Sequence, residues 1–346
     1  MQSRHIIVPT PKKFLKNWYM DKSHSYYYNA SMQMYPLKFK PIYKKRIWGG
    51  QKLKDFFGKD LPKDEKIGES WELADLPQDK SVITNGRFEG LTLNAAINKY
   101  PKEITGDENF TPPFPLLIKF LDAKDILSIQ VHPDEQTCRT MGRGGPKTEC
   151  WYIIDAEPGS VIYKGLKKGT SKEQFAESIE KGSAAELLEK VSVRPGQCHF
   201  LPAGTPHSIG AGLLVAEIQT PSDTTYRVFD FNRIDDAGRA RALHIEEALE
   251  SIHFDASSDN LSVTTTERLI DCEYFKVDKG AQAKGAEVPL TPGKIKTLII
   301  VSGIGSISGT DGFGVEFKAG ECLLVPAAYQ GSMRFACDCQ YLTVTI

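Results

Sequence analysis

The chain has 346 residues, with 43 Lys or Arg against 44 Asp or Glu and a formal charge of −1 at pH 7. So even a balance gives no reason to expect nucleic acid or an anionic membrane as partner. No apolar run approaches the roughly 18 residues that span a bilayer, and the length has room for two compact domains.

Residues 1–33 read as an extension outside the fold, with Lys12-Lys13 and Tyr26-Tyr27-Tyr28 but no sustained hydrophobic period. They lack the apolar core and small-residue cleavage site of a secretory signal. From residue 34 to 255, short apolar runs alternate with Gly, Pro, Asp and Asn turns, which predicts an antiparallel β domain with helical insertions. Asn85-Gly86, after Ser81-Val-Ile-Thr84, is a hairpin-type dipeptide. A first helix is predicted over Thr92–Tyr100, where Leu93, Ala96, Ile97 and Tyr100 share a face. A second runs from Ser171 to about Lys190, with Thr170 or Ser171 as N-cap and Glu173 or Gln174 as its capping partner. A third covers His244–His253 and stacks Ile245, Ala248, Leu249 and Ile252. The polar run Asp255–Asn260 predicts a boundary, and residues 256–346 a second β domain. Seven cysteines lie scattered without a C-x2-C pair, which suits reduced thiols in a reducing cytoplasm and argues against a cysteine-type structural zinc. Cys337 and Cys339 would share one face of a strand as core thiols.

The segment Gly196-Gln-Cys-His-Phe-Leu-Pro202-Ala-Gly204-Thr-Pro-His207 fits G-x5-P-x-G-x2-H, the second signature of cupins, small antiparallel jelly-roll barrels. The fold class is therefore mainly β, two cupin-type jelly-roll barrels with a few inserted helices. In that reading His207 points into the barrel from the start of a strand. Gln130 and His132, two apart on another strand, point inward together. Glu149 enters a strand that should be buried, where a carboxylate without a cation or donors would be costly. Two histidines, one carboxylate and a neutral amide oxygen suit zinc. One negative ligand leaves a divalent centre net positive, and so a strong Lewis acid. The signature returns as Gly320-Glu-Cys-Leu-Leu-Val-Pro326, but Ala328 replaces the second glycine and Gly331 stands where the histidine would be. The second barrel is thus expected to be a structural partner without a metal site.

The motifs Gly68-Glu-Ser-Trp-Glu-Leu73, Leu127-Ser-Ile-Gln-Val-His-Pro-Asp134, Gly145-Pro-Lys-Thr-Glu-Cys-Trp-Tyr152, Pro202-Ala-Gly-Thr-Pro-His207 and Asp223-Thr-Thr-Tyr-Arg-Val228 come in the order found in type I mannose-6-phosphate isomerases. The chain resembles the shorter bacterial members of that family. The resemblance implies a zinc-dependent aldose–ketose isomerase that interconverts mannose 6-phosphate and fructose 6-phosphate by enediol proton transfer. It implies one Zn2+ per chain on Gln130, His132, Glu149 and His207, and an essential arginine at Arg227. Proton transfer or substrate contact falls on Glu217, Lys147 and Asp223, and phosphate contact on Lys119 and Ser128. Glu217 ranks first as base, because a carboxylate needs no lowered pKa to act as one. Pro146 stands where longer members carry a histidine, and the interval from His207 to Glu217 is one residue longer than in some of them. Read without the family, Arg227 is a strand arginine paired with Asp223 or Asp230. The competing readings are an iron-dependent cupin oxygenase and a non-catalytic sugar-phosphate-binding bicupin. The expected partner is a small sugar phosphate, with no nucleic acid or membrane, for a monomer or weak homodimer.

Overall fold

The computed structural model describes residues 33–346 apart from 64, 235–236, 256–262 and 311–312. The 1–33 extension, except Gln33, and most of the polar run predicted as a boundary lie outside the described residues. The fold is mainly β, as the alternating pattern requires, and every strand pairing is antiparallel. In the first half, a seven-stranded sheet includes Cys198–Leu201, Glu149–Ala156, Leu213–Gln219, Leu117–Ala123, Ile67–Leu73 and Ile42–Gly50, in that order. A five-stranded sheet faces it, ordered Tyr226–Phe229, Ile129–Val131, His207–Ile209, Val161–Leu166 and Leu188–Ser192. The second half repeats the arrangement with a six-stranded and a four-stranded sheet.

Period-two alternation gives the first barrel two ends of opposite character. Reading down the inward faces, one strand presents Glu149, Trp151 and Ile153, the next Glu217, Val215 and Leu213, and the third Lys119, Leu121 and Ala123. The facing sheet contributes His207 and then Ile209. All the apolar members of these series belong to one buried cluster that also holds Trp48, Leu127, Ile162, Val193 and Leu201. Each Val, Leu or Ile among them stabilises the fold by roughly 1.5–3 kcal/mol through burial, and together they fix the register that groups the polar residues at the other end. Glu217 stands opposite Lys119 on one side and Trp151 on the other, while Gln130 stands opposite both His207 and Arg227.

Two helices, Lys172–Glu180 and Ile245–Ser251, pack on the outer face of the five-stranded sheet. The helix Lys172–Glu180 opens with a complete capping box between Ser171 and Gln174, and its Phe175 and Ile179 pack on Ile129 and Val131. It stops well short of Lys190. Gly182 takes a left-handed φ of 71°, a short 3-10 turn follows at Ala184–Leu187, and the chain continues as the strand Leu188–Ser192. The other predicted helices form as Leu93–Lys99, capped by the Thr92 hydroxyl, and Ile245–Ser251. Short helices at Lys52–Phe57, Pro101–Thr105 and Glu135–Met141 were not expected from periodicity. Asn85-Gly86 does not make a two-residue hairpin. A 3-10 turn at Gly86–Phe88 lengthens the reversal, which closes through hydrogen bonds between Ile83 and both Gly90 and Leu91.

The two halves exchange short strands. Leu37–Lys38 pairs with Leu323–Leu324 of the second half, and Val263–Thr264 pairs with Cys198–His199 of the first. The internal repeat holds at the backbone: Gly196 and Gly320 have φ of 90° and 80°, and each precedes a strand, Cys198–Leu201 and Cys322–Val325. Gly331 begins the next strand just as His207 does. A Cβ there would collide with the Ser308 backbone oxygen and the Tyr329 phenol. All seven cysteines are free thiols, with the Cys337 and Cys339 sulfurs both on the backbone of Ile304. Among the described residues, no helix is long and apolar enough to cross a membrane.

Candidate active site

His132, Glu149 and His207 converge at the polar end of the first barrel, with one potential ligand atom from each lying within 4.8 Å of the others. All three are buried. His132 lies just beyond the strand Ile129–Val131, Glu149 begins its strand, and His207 begins another. Each imidazole uses its Nδ1 on a backbone carbonyl: His132 on Thr224 at 2.9 Å and His207 on Thr205 at 2.8 Å. A carbonyl oxygen only accepts, so both Nδ1 atoms carry the proton and both Nε2 atoms present a lone pair. Those Nε2 atoms face Glu149, at 3.4 Å from His132 and 3.3 Å from His207.

Burial, followed by the Lys147 charge, pushes His132 down to about 4, and burial also lowers His207. Both rings are therefore neutral at pH 7, as ligation requires. Burial alone would raise Glu149, yet the Lys147 charge beside it, the largest of the opposing causes, holds it well below the ordinary carboxylate range. Neither the His132 Nε2 nor the Glu149 Oε1 has a hydrogen-bond partner. Two buried, unpaired acceptors aimed at one point are costly without a cation, and an N2O donor set of this kind fits a divalent ion such as zinc. Gln130 adjoins the cluster, its Nε2 3.3 Å from the His207 Nε2 and its Oε1 3.5 Å from the Ser128 hydroxyl. A half-turn of that amide exchanges the two atoms and would offer oxygen as a fourth ligand.

From the cluster a chain of alternating charges runs outward. Lys147 Nζ is 2.7 Å from Glu149 and 3.9 Å from Glu217. Glu217 Oε1 is 3.1 Å from Lys119 Nζ, and its Oε2 accepts the Trp151 indole N–H at 3.1 Å. Lys119 lies 3.9 Å from Glu69, which also takes Trp71 Nε1 and Arg46 Nε at 2.6 Å each. Burial opposes the charge on Lys119, but Glu217 and Glu69 outweigh it and raise the ammonium above its ordinary range. Burial likewise opposes the charge on Glu69, and Lys119 and Arg46 bring it down to about 2. Lys119 and Glu69 are thus held ionised.

These groups border a cavity of about 420 Å³. Gln130, Lys147, Glu217, Lys119 and Ser128 reach it, as do Arg227 and the exposed Asp223. The structure therefore gathers all ten sequence-predicted site residues into one region, with His132, Glu149 and His207 set behind the cavity wall. Arg227 is not paired with Asp223 or Asp230. It donates to the Ser128 hydroxyl at 3.3 Å and the Ala242 carbonyl at 2.8 Å, and it makes no ion pair among the described residues. Asp230 is taken instead by Arg233 and Arg241. Pro146 presents only its carbonyl, to the Thr220 hydroxyl at 3.3 Å. Sequence reasoning missed Arg46, Glu69, Trp151 and Arg241. Glu69 and Trp71 carried a usable signal, since they stand two apart within one quoted motif and share a strand face.

A family model for the catalytic domain of type I phosphomannose isomerases matches residues 36–148. The mannose-6-phosphate isomerase ManA of Bacillus subtilis is 37% identical over 306 residues, covering 84% of this chain and 93% of its own length. A mannose-6-phosphate isomerase of Streptococcus mutans is 42% identical over 215 residues, covering 62% of this chain and 67% of that protein. The crystal structure of a mannose 6-phosphate isomerase from Bacillus subtilis superposes with a TM-score of 0.81 at 31% identity, over 90% of this chain and 99% of that one.

Proposed function

The chain belongs to the type I phosphomannose isomerases, and from that membership we propose that it interconverts mannose 6-phosphate and fructose 6-phosphate by enediol proton transfer with one bound zinc. The observation that carries the reading is the convergence of His132, Glu149 and His207, both Nε2 lone pairs turned inward, beside a carboxylate in an open cavity. Those three residues, with Gln130, would hold the ion. When bound, it supplies Lewis-acid stabilisation of charge developing on the sugar oxygens.

The remaining work falls to the chain's own groups. Moving the carbonyl between C1 and C2 takes an acidic proton from one carbon and returns it to its neighbour. Glu217 is the base in this reading: its carboxylate faces the cavity and is fixed by Lys119 and the Trp151 N–H. Lys147, between Glu149 and Glu217, is placed to donate to a sugar oxygen as its proton count changes. Arg227, with no carboxylate partner among the described residues, adds a fixed positive charge to the same pocket. Asp223 contacts substrate from the rim. Every one of these groups lies within residues 34–255, so residues 256–346 act as scaffold. The free cysteines fit a cytoplasmic setting.

The test is a coupled assay for fructose 6-phosphate formed from mannose 6-phosphate by purified protein, before and after chelation and after zinc is restored. Turnover that vanishes with chelator and returns with zinc supports the reading. Absence of turnover in the zinc-loaded protein would sink it.

A further inference from the structure

With C1 and C2 at the metal end of the cavity, a hexose 6-phosphate must place its phosphate at the opposite end of a six-carbon chain, toward solvent. Lys119 is poorly placed for that. Its side chain is only 5% exposed, and Glu217 and Glu69 already compensate its charge. The cations at the mouth are Lys45, paired with Glu65, and Arg46 and Arg241, with side chains 31% and 22% exposed. Arg46 is matched by Glu69. Among the described residues Arg241 is not fully matched, because Asp230 serves both Arg241 and Arg233 with a single negative charge. Arg227 nearby has no carboxylate partner among the described residues. Even with Asp223 on the rim, the guanidiniums of Arg227, Arg233 and Arg241 outnumber the carboxylates beside them among the described residues. Like charges crowded together in a half-buried cavity call for an anion. Asp230 also sets the geometry. It takes Arg241 Nε at 2.7 Å and bonds Nη2 as well, which fixes the plane of the fork and leaves the Nη1 donors for a ligand.

We propose that Arg241, oriented by Asp230, binds the phosphate of the substrate at the cavity mouth, with Arg227 beside it, and that Lys119 does not. The inference rests on the reading of the substrate as a hexose 6-phosphate. Lys119 then serves to hold the Glu217 carboxylate, and Asp230 is a positioning residue.

The test measures binding of mannitol 6-phosphate, which cannot isomerise, and of mannitol, by calorimetry on zinc-loaded wild type, Arg241→Gln, Arg241→Lys and Asp230→Asn, with melting curves to confirm folding. Arg241→Gln should weaken mannitol 6-phosphate about 30-fold, the scale of a lost charge-assisted pair. Arg241→Lys should fall between, because it keeps the charge and loses the fork, and so should Asp230→Asn. On mannose 6-phosphate, KM should rise far more than kcat falls. Undiminished affinity of folded Arg241→Gln for mannitol 6-phosphate would overturn the proposal. So would equal weakening of mannitol, or Arg241→Lys as weak as Arg241→Gln. A wild type that binds mannitol 6-phosphate yet turns over no mannose 6-phosphate would sink the isomerase reading instead.

Discussion

Replacing Glu217 with Gln separates the two jobs this carboxylate performs. The pair it forms with Lys119 is 3.1 Å long, and both side chains are only 5% exposed. Removing one partner of a buried pair leaves an uncompensated charge, at a cost of about 3–5 kcal/mol. Two features of this site reduce that cost. Lys119 keeps Glu69 at 3.9 Å, and Lys147 keeps Glu149 at 2.7 Å. The amide oxygen can also still accept the Trp151 N–H. We therefore expect Glu217→Gln to lose about 2–3 kcal/mol, seen as a melting temperature lower by about 5 °C. The double variant Glu217→Gln/Lys119→Met removes the orphaned ammonium as well, and should recover at least half of that loss. Activity should not recover: both variants lack the base and should turn over at least about 100-fold more slowly than wild type. Paired melting curves and the coupled assay check both halves. A double variant less stable than the single one would refute the electrostatic reasoning, and wild-type turnover in Glu217→Gln would refute the assignment of the base.

Glu149→Gln and His207→Ala should each emerge from purification with little zinc, against about one equivalent for wild type; elemental analysis that finds full occupancy in both would remove the metal site. Arg227→Ala should retain its zinc yet lose most isomerase activity, and comparable turnover would exclude this guanidinium from the chemistry. Asp122 gives a pH signature. Burial raises its pKa to about 6, so its contribution to stability is complete below pH ~4 and is lost as pH rises through 6. Asp122→Asn keeps an oxygen for the Lys52 N–H, 2.6 Å away, and should match wild type at pH 4 but melt higher at pH 7. A variant–wild-type difference that is the same at both pH values counts against this.

The part of the site legible in the sequence was the part written in short-range pattern. A fixed turn delivers His207 to the start of a strand, and alternation alone puts Gln130 inward while Ile129 and Val131 face the helices. The charge chain beyond Glu149 was not legible, because it depends on register between strands far apart in sequence: Lys119 meets Glu217 only because Leu117–Ala123 lies against Leu213–Gln219. Arg241 sits off the strands altogether, and its pairing with Asp230 left Arg227 without the partner that local spacing suggested. Helix length failed for a simpler reason. The apolar spacing ran past Gly182, whose left-handed backbone ended the helix however favourable the residues beyond it.

The glycine that begins the strand Gly331–Phe335 has a consequence for what this molecule can become. A histidine placed there would force its Cβ into the Tyr329 phenol and the Ser308 carbonyl, so one substitution alone cannot seat a coordinating side chain at this point of the strand. At least two concerted alterations are needed, and the first alone disrupts packing. The close approach of Ser308 and Tyr329 thus holds this one position at glycine, whatever changes elsewhere on the strand.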